Sequence, residues 1–330
     1  MTAMLSRVAE NVYWMARYVE RAENTARLIN VNTQLLMDLP GRVRFGWDTL
    51  VEITGGEETF RALKRRPTEG NVVRFMTGDR GNPGSILSSL AAARSAARTA
   101  RDILPHEAWE QLNALYLEAE RTLGAPKSLP RARFGPLNQV VLGCQLVVGI
   151  LEGTMSRDAG FEFLRAGRHL ERADMTTRII DVRSASLIPG ANTDLTPFEN
   201  ILWMGVLRSL SGYQMYRRRT HGIVRRPDVL AFLLKDRDFP RSFQRCVTRV
   251  EDSLRNLPHH SIPLRTAASV RRLAAEVAPG ELTQIELHQF IDDLQLGLAA
   301  LDQQVQATYF RHPEGELAPP EEEPEEMVRA

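Results

Sequence analysis

Apolar residues recur at alternating steps of three and four near the start of the chain. Leu5, Val8, Val12, Met15, Val19, Ala22, Ala26, Ile29, Thr33 and Leu36 form one seam ahead of Pro40-Gly41. This is the spacing of a helix face, and Pro-Gly is a stop signal. Proline punctuates the remainder: none of the eighteen falls in residues 1–39, 137–188 or 280–312. These stretches predict long helices: one over the first seam, one over 137–155, one over 158–187 after a break near Arg157, and one over 283–310. Shorter helices are predicted at 47–54, 57–65, 72–76, 85–104, 107–123, 198–219, 228–234, 241–257 and 264–277. No run alternates with period two for long enough to make a sheet, so the expected class is all-α, a multi-helix bundle.

One internal similarity organises the chain. Residues 15–31 read MARYVERAENTARLINV and residues 166–182 read AGRHLERADMTTRIIDV, at a constant offset of 151. The shared frame is Arg, two residues, Glu-Arg-Ala, an acid, one residue, Thr, one residue, Arg. The seam carries over as Phe163, Ala166, Leu170, Ala173, Thr177, Ile180 and Leu187. The expected organisation is one helical domain, 1–312, of two pseudo-symmetric halves, about 1–135 and 136–312, each led by a long helix. Residues 313–330 combine proline with like charge and are expected to be a disordered acidic tail.

Position on the helix raises the question of what the Glu-Arg pairs do. With Val19 and Ala22 on the main seam, Arg21 falls on a second, mostly apolar stripe with Trp14, Tyr18, Thr25, Leu28 and Leu35. A helix apolar on two faces is enclosed on both, so Arg21, and Arg172 by the repeat, would be sheltered charges in need of partners. Glu20, Glu171 or a group on another helix could serve. Local pairs are also available: Glu23 with Arg27 and Asp174 with Arg178 at i, i+4, and Arg17 with Glu20 and Arg168 with Glu171 at i, i+3. A structural charge network is the first reading, a ligand or anion site the second and a catalytic carboxylate the third. Arg94 and Arg98, one face of an alanine-rich helix with Arg101, are grouped with that network as candidates. A dimetal centre is not expected, because neither Glu has the His of a Glu-x-x-His motif and each is followed by a repelling Arg.

Composition narrows the rest. The chain has 330 residues, 43% hydrophobic and 25% charged, with a formal net charge of +1. Residues 314–330 hold seven acids and one base, which leaves +7 for residues 1–313. Cys144 and Cys246 lie far apart with no neighbouring Cys or paired His, which argues for a reducing compartment and against zinc. The opening MTAMLSRVAEN has acid and amide too early for a secretory signal, and the apolar run at 140–151 is too short to span a bilayer. The chain is therefore read as cytoplasmic and off the membrane. There is no Gly-x-Gly-x-x-Gly, phosphate loop, His-Glu-x-x-His or Gly-x-Ser-x-Gly, and no cofactor is expected. The segment from Gly78 to Ser85 is either an anion cradle or a turn capped by Ser85. His288 and Asp292 at i, i+4 could ligate a metal, with a plain hydrogen-bonded pair the simpler reading. The 39 arginines far outnumber the 3 lysines. Arg217, Arg218, Arg219, Arg225 and Arg226 form a dense patch suited to an acidic partner or, as the last-ranked reading given the modest body charge, nucleic acid.

The opening LSRVAENVYWMARYVERAENTARL, the second ERAD segment, WMGVLRSLSGYQMYRRR and FLLKDRDFPRSFQRCV together resemble the bacterial alpha-E domain family, a helical family with a Glu-Arg motif. The resemblance runs from Leu5 to about Tyr309, and the motif residues map to Glu20, Arg21, Glu171 and Arg172. The helix after Ser85 departs from it, reading ARSAAR where relatives commonly carry a more polar ARENAR-like run. The resemblance implies a gene neighbourhood, or a fusion, with a circularly permuted ATP-grasp ligase, alongside a transglutaminase-like protease and sometimes a proteasome-like peptidase. From it follows the expectation of an accessory or scaffolding protein of an amide-ligase system, with an Arg- and Glu-lined pocket for an acidic ligand. A stand-alone enzyme using Glu20 or Glu171 as acid or base is the alternative.

Overall fold

A computed structural model describes residues 6–39, 46–124, 134–185 and 198–310. Fourteen α-helices and no strand occur among the described residues, as the absence of period-two alternation requires. In chain order they are α1 (Ser6–Asp38), α2 (Asp48–Ile53), α3 (Glu57–Ala62), α4 (Glu69–Thr77), α5 (Ile86–Thr99), α6 (His106–Leu123) and α7 (Phe134–Thr154). There follow α8 (Ala159–Ala185), α9 (Glu199–Ser209), α10 (Tyr213–Arg219), α11 (Arg226–Lys235), α12 (Phe243–Arg255), α13 (Ser261–Glu276) and α14 (Gln284–Tyr309). The acidic tail expected at 313–330 lies outside the described residues, as do residues 186–187 of the expected long helix.

Helix α1, at 33 residues, extends roughly 50 Å and is the axis of the fold. It packs against α5, α7, α8 and α9 and touches α4 and α14, which is why residues on both its stripes are buried. Helix α8, the second bearer of the repeat, packs against α1, α12, α14 and α2. Helices α1 and α8 approach closely at Gly167, where an added Cβ would stand 2.4 Å from the carbonyl oxygen of Tyr13. Only glycine lets the two backbones meet there, and that approach brings the Glu-Arg motifs together.

Local signals set the ends. Ser85 and Ser242 accept the backbone N–H of Ser88 and Arg245 as N-caps of α5 and α12, and Thr283 with Glu286 forms a capping box on α14. The Gly78–Ser85 segment is thus a capped turn: Asn82 donates to the Phe75 carbonyl and accepts from Gly84 N–H. Two predicted helices are corrected. The one at 198–219 is broken into α9 and α10 at Ser211, whose φ of 55° only a turn accommodates. The one at 85–104 stops at Thr99, ahead of Pro105. Helix α7 is longer than the apolar run within it and, among the described residues, is the one helix long and apolar enough to cross a membrane by length and composition. Val140, Cys144, Val147 and Leu151 of its inner face are buried, in a helix that packs on α1 and α6.

Candidate functional site: a reciprocal Glu-Arg crossing and its two clefts

Where α1 and α8 meet, the two copies of the motif exchange partners. Arg21 Nε donates to Glu171 Oε1 at 2.6 Å and its Nη2 to Oε2 at 3.0 Å. In return Arg172 Nε lies 2.9 Å from Glu20 Oε2. The residues are equivalent under the 151-residue offset, so each half's Glu binds the other half's Arg. The contact at Glu20 is one of charges rather than an aligned hydrogen bond, since neither of its two atoms has a hydrogen-bond partner.

Further arginines complete the two carboxylates. Arg17 donates to Glu171 at 2.9 Å and to Asp302 of α14 at 2.8 Å. Arg241, in the turn before α12, donates to Glu20 at 2.6 Å, Asn24 at 2.7 Å and Glu23 at 2.7 Å. Its own carbonyl accepts the hydroxyl of Thr176. Glu23 also accepts from Arg27 at 2.5 Å and Gln145 at 3.3 Å. The i, i+4 pairs Glu23–Arg27 and Asp174–Arg178 are both present. The i, i+3 pairs Arg17–Glu20 and Arg168–Glu171 are not: Arg17 crosses to α8 and α14, and Arg168 reaches Glu152 of α7 at 2.5 Å. Each arginine is turned by the helix it faces rather than by its own sequence neighbour.

The side chain of Glu20 is 0% exposed and that of Glu171 is 2% exposed. Burial alone would raise both carboxyls, but the surrounding guanidiniums outweigh it. Arg21 and Arg17 hold Glu171 at about 2, and Arg172, Arg241 and Arg168 pull Glu20 down. The arginines differ in kind. Burial would lower Arg17, but Glu171 drives it well above the ordinary value. Arg172 stays low, because burial and the neighbouring Arg241 and Arg168 outweigh Glu20.

Each flank of the crossing opens into a cleft. The first, of about 310 Å³, is lined by Arg21, Thr25, Glu171, Asp174 and Arg178 with the loops at Thr54–Gly56 and Asn82–Gly84. It is mixed in charge. The second, of about 520 Å³, lies beside Arg172, between α8, the end of α7 and the start of α12, and is dominated by arginine.

The remaining candidates lie elsewhere. Arg94 and Arg98 are not part of the network. Arg94 donates to Asn113 at 2.6 Å and lies over the ring of Tyr116, while Arg98 is exposed. In the arginine patch, Arg219 is taken up by Asp236 and Asp238 and Arg217 by the Gly222 carbonyl. Arg218 and Arg225 are exposed and Arg226 is half-buried. His288 sits between Asp181 at 2.7 Å and Asp292 at 3.6 Å. The two acids address opposite ring nitrogens, the arrangement of a clamped imidazole. Cys144 and Cys246 are unpaired and buried, and burial pushes the Cys246 thiol up to about 12, so it is not primed as a nucleophile. Sequence reasoning missed Arg241, Asp302 and Glu152 as members. Arg241 stood within the FLLKDRDFPRSFQRCV segment, but nothing local marked it.

Fold and crossing define an all-helical domain built on a paired Glu-Arg motif. A family model described as a predicted alpha-helical domain with a conserved ER motif matches residues 4–310, and the chain belongs to this Alpha-E family. It is similar to proteins of Mycobacterium bovis and Mycobacterium tuberculosis, each named only as uncharacterized, at 25% identity over 319 residues. The match covers 89% of this chain but 34% of each relative, so the chain spans about a third of the length of the curated relatives it matches. No solved structure matches it significantly.

Proposed function

We propose that the chain is a non-catalytic helical partner of an amide-forming, ATP-grasp-type ligase, holding an acidic ligand in an Arg- and Glu-lined cleft within a cytoplasmic peptide-modifying system. The observation that carries the non-catalytic part is the state of the motif carboxylates. A general acid or base needs a pKa near the working pH and access to the proton it moves. Glu20 is closed off beneath Arg172 and Arg241, and Glu171 is held ionised at about 2 by two arginines. Glu20 lacks the access and Glu171, although it borders the first cleft, lacks a pKa near the working pH, which weakens the acid/base alternative. The partner half rests on the family resemblance, and the relatives add to it: there the matching region is one third of a longer chain, as for a domain that works beside others.

The test is capture of the tagged full-length chain from its host under gentle salt, followed by mass spectrometry. The expected result is co-purification of an ATP-grasp ligase, with a transglutaminase-like protease or proteasome-like peptidase in smaller amount, and no ATP turnover by the chain alone. Amide-bond formation or hydrolysis by the isolated chain, lost in E171Q, overturns the reading.

A further inference from the structure

Arginines outnumber acids in the lining of the second cleft. Six arginines line it, Arg157, Arg165, Arg168, Arg172, Arg245 and Arg249, against Glu152, Glu162 and Asp238. The acids are already engaged: Glu152 by Arg157 and Arg168, Glu162 by Arg165, and Asp238 by Arg219 from outside the cleft. Arg172 and Arg249 find their counter-charges beyond the lining, in Glu20 and Asp252. Beyond its bond to Glu152, Arg168 is 6% exposed and leaves Nε and Nη1 with no partner. His169, also 6% exposed, leaves Nδ1 unpartnered. The Arg245 guanidinium, on the first turn of α12, makes no ion pair or hydrogen bond among the described residues. Buried polar atoms without partners are costly, and Arg245, half-buried, adds a guanidinium with no counter-charge beside them. Burial together with Arg168, Arg172, Arg165 and Arg249 keeps the His169 imidazole well below its ordinary value, a second sign of unbalanced positive charge.

We infer that this cleft binds the phosphoryl group of a small phosphorylated molecule, received by Arg168, Arg245 and His169. A carboxylate offers one charge and two oxygens, and a single guanidinium fork engages both. A phosphoryl group brings up to two charges and three acceptor oxygens, which suits a cleft lined from two helices by Arg168, His169 and Arg245. A cleft of about 520 Å³ is far larger than inorganic phosphate and falls in the range of small-molecule sites. Arg157 lies 3.8 Å over the face of Phe161 at its wall, a flat surface for the rest of the molecule. The assignment rests on the acidic-ligand part of the proposed function and names its chemistry.

Calorimetry on the full chain at matched ionic strength tests it, with inorganic phosphate, pyrophosphate, phenyl phosphate and triglutamate as probes. Saturable binding of a phosphate probe is expected, weakened at least about tenfold in R245Q and unchanged in R218Q on the exposed patch. Tighter binding of phenyl phosphate than of phosphate identifies an organic ester as the source. NMR titration of the His169 ring supplies a readout that a purely structural role would not move: its pKa rises when the phosphate probe is bound. Triglutamate binding above all phosphate probes overturns the phosphoryl assignment but keeps an acidic ligand. Absence of saturable binding by any probe, or equal weakening in R245Q and R218Q, overturns both.

Discussion

At the scale of the residue, the molecule uses burial and charge against each other. Glu171 would protonate readily if it were merely buried, yet Arg21 and Arg17 hold it at about 2 against an ordinary value of 4.5. A carboxyl depressed in the folded state contributes stability above its unfolded value and loses it as pH falls toward the folded one. The difference corresponds to on the order of 3 kcal/mol. E171Q removes the charge and little volume. The gap in unfolding free energy between wild type and E171Q should therefore be full above about pH 5 and close toward about pH 2, as urea titrations across that range will measure. A gap independent of pH would mean that the carboxylate's charge is not what the arginines recognise. His288, raised by its bond to Asp181, acts in the opposite sense: its contribution is present below the ordinary histidine value and fades as pH rises through the raised one.

At the scale of the element, the crossing depends on how closely two helices can lie. Gly167→Ala would put a methyl group against the Tyr13 carbonyl, a backbone atom that cannot turn aside, and one turn further along stand Arg17 and Glu171. The expected cost is about 2 to 3 kcal/mol, seen as a lower melting temperature. Gly143→Ala on α7 is the control: the atoms nearest its methyl all belong to the Leu115 side chain, which can shift, and it should cost under about 1.5 kcal/mol. Equal melting shifts in the two variants would falsify the close-contact account. The helices themselves were legible, because seams such as Val12, Met15, Val19 and Ala22 repeat over many turns. The break at Ser211 was not, since Trp203, Val206, Leu210 and Tyr213 keep helical spacing straight across it. The partners of the motif were only half legible. A repeat at offset 151 announces that Glu20 and Glu171 share a role, but Arg241, Asp302 and Glu152 reach the network across long stretches of chain and leave no periodic trace. Local spacing even misdirected Arg17, whose i, i+3 acid lay in reach but whose face of α1 looks toward α8 and α14.

At the scale of the whole molecule, the two sequence halves share one main hydrophobic core. Helix α1 belongs to the first half, yet its neighbours α7, α8, α9 and α14 all come from the second, and α6 packs on α7. Removing residues 136–312 would bare Tyr13, which meets Gly167, Asp302 and Phe310, and Leu35, which lies against Gly205; both are at most 3% exposed. It would also leave Glu20 and Glu23 without Arg172 and Arg241, and removing a partner from a buried ion pair costs about 3 to 5 kcal/mol. The reverse cut strands Glu171 without Arg17 and Arg21. Near-UV dichroism and tryptophan fluorescence, which sample Trp14, Trp47 and Trp109 in one half and Trp203 in the other, should therefore report a single coincident unfolding transition. Fragments 1–135 and 136–312 made separately should lack cooperative melts. A cooperative transition in either fragment alone, or two separated transitions in the intact chain, would show that the Glu-Arg crossing joins two domains already stable without it.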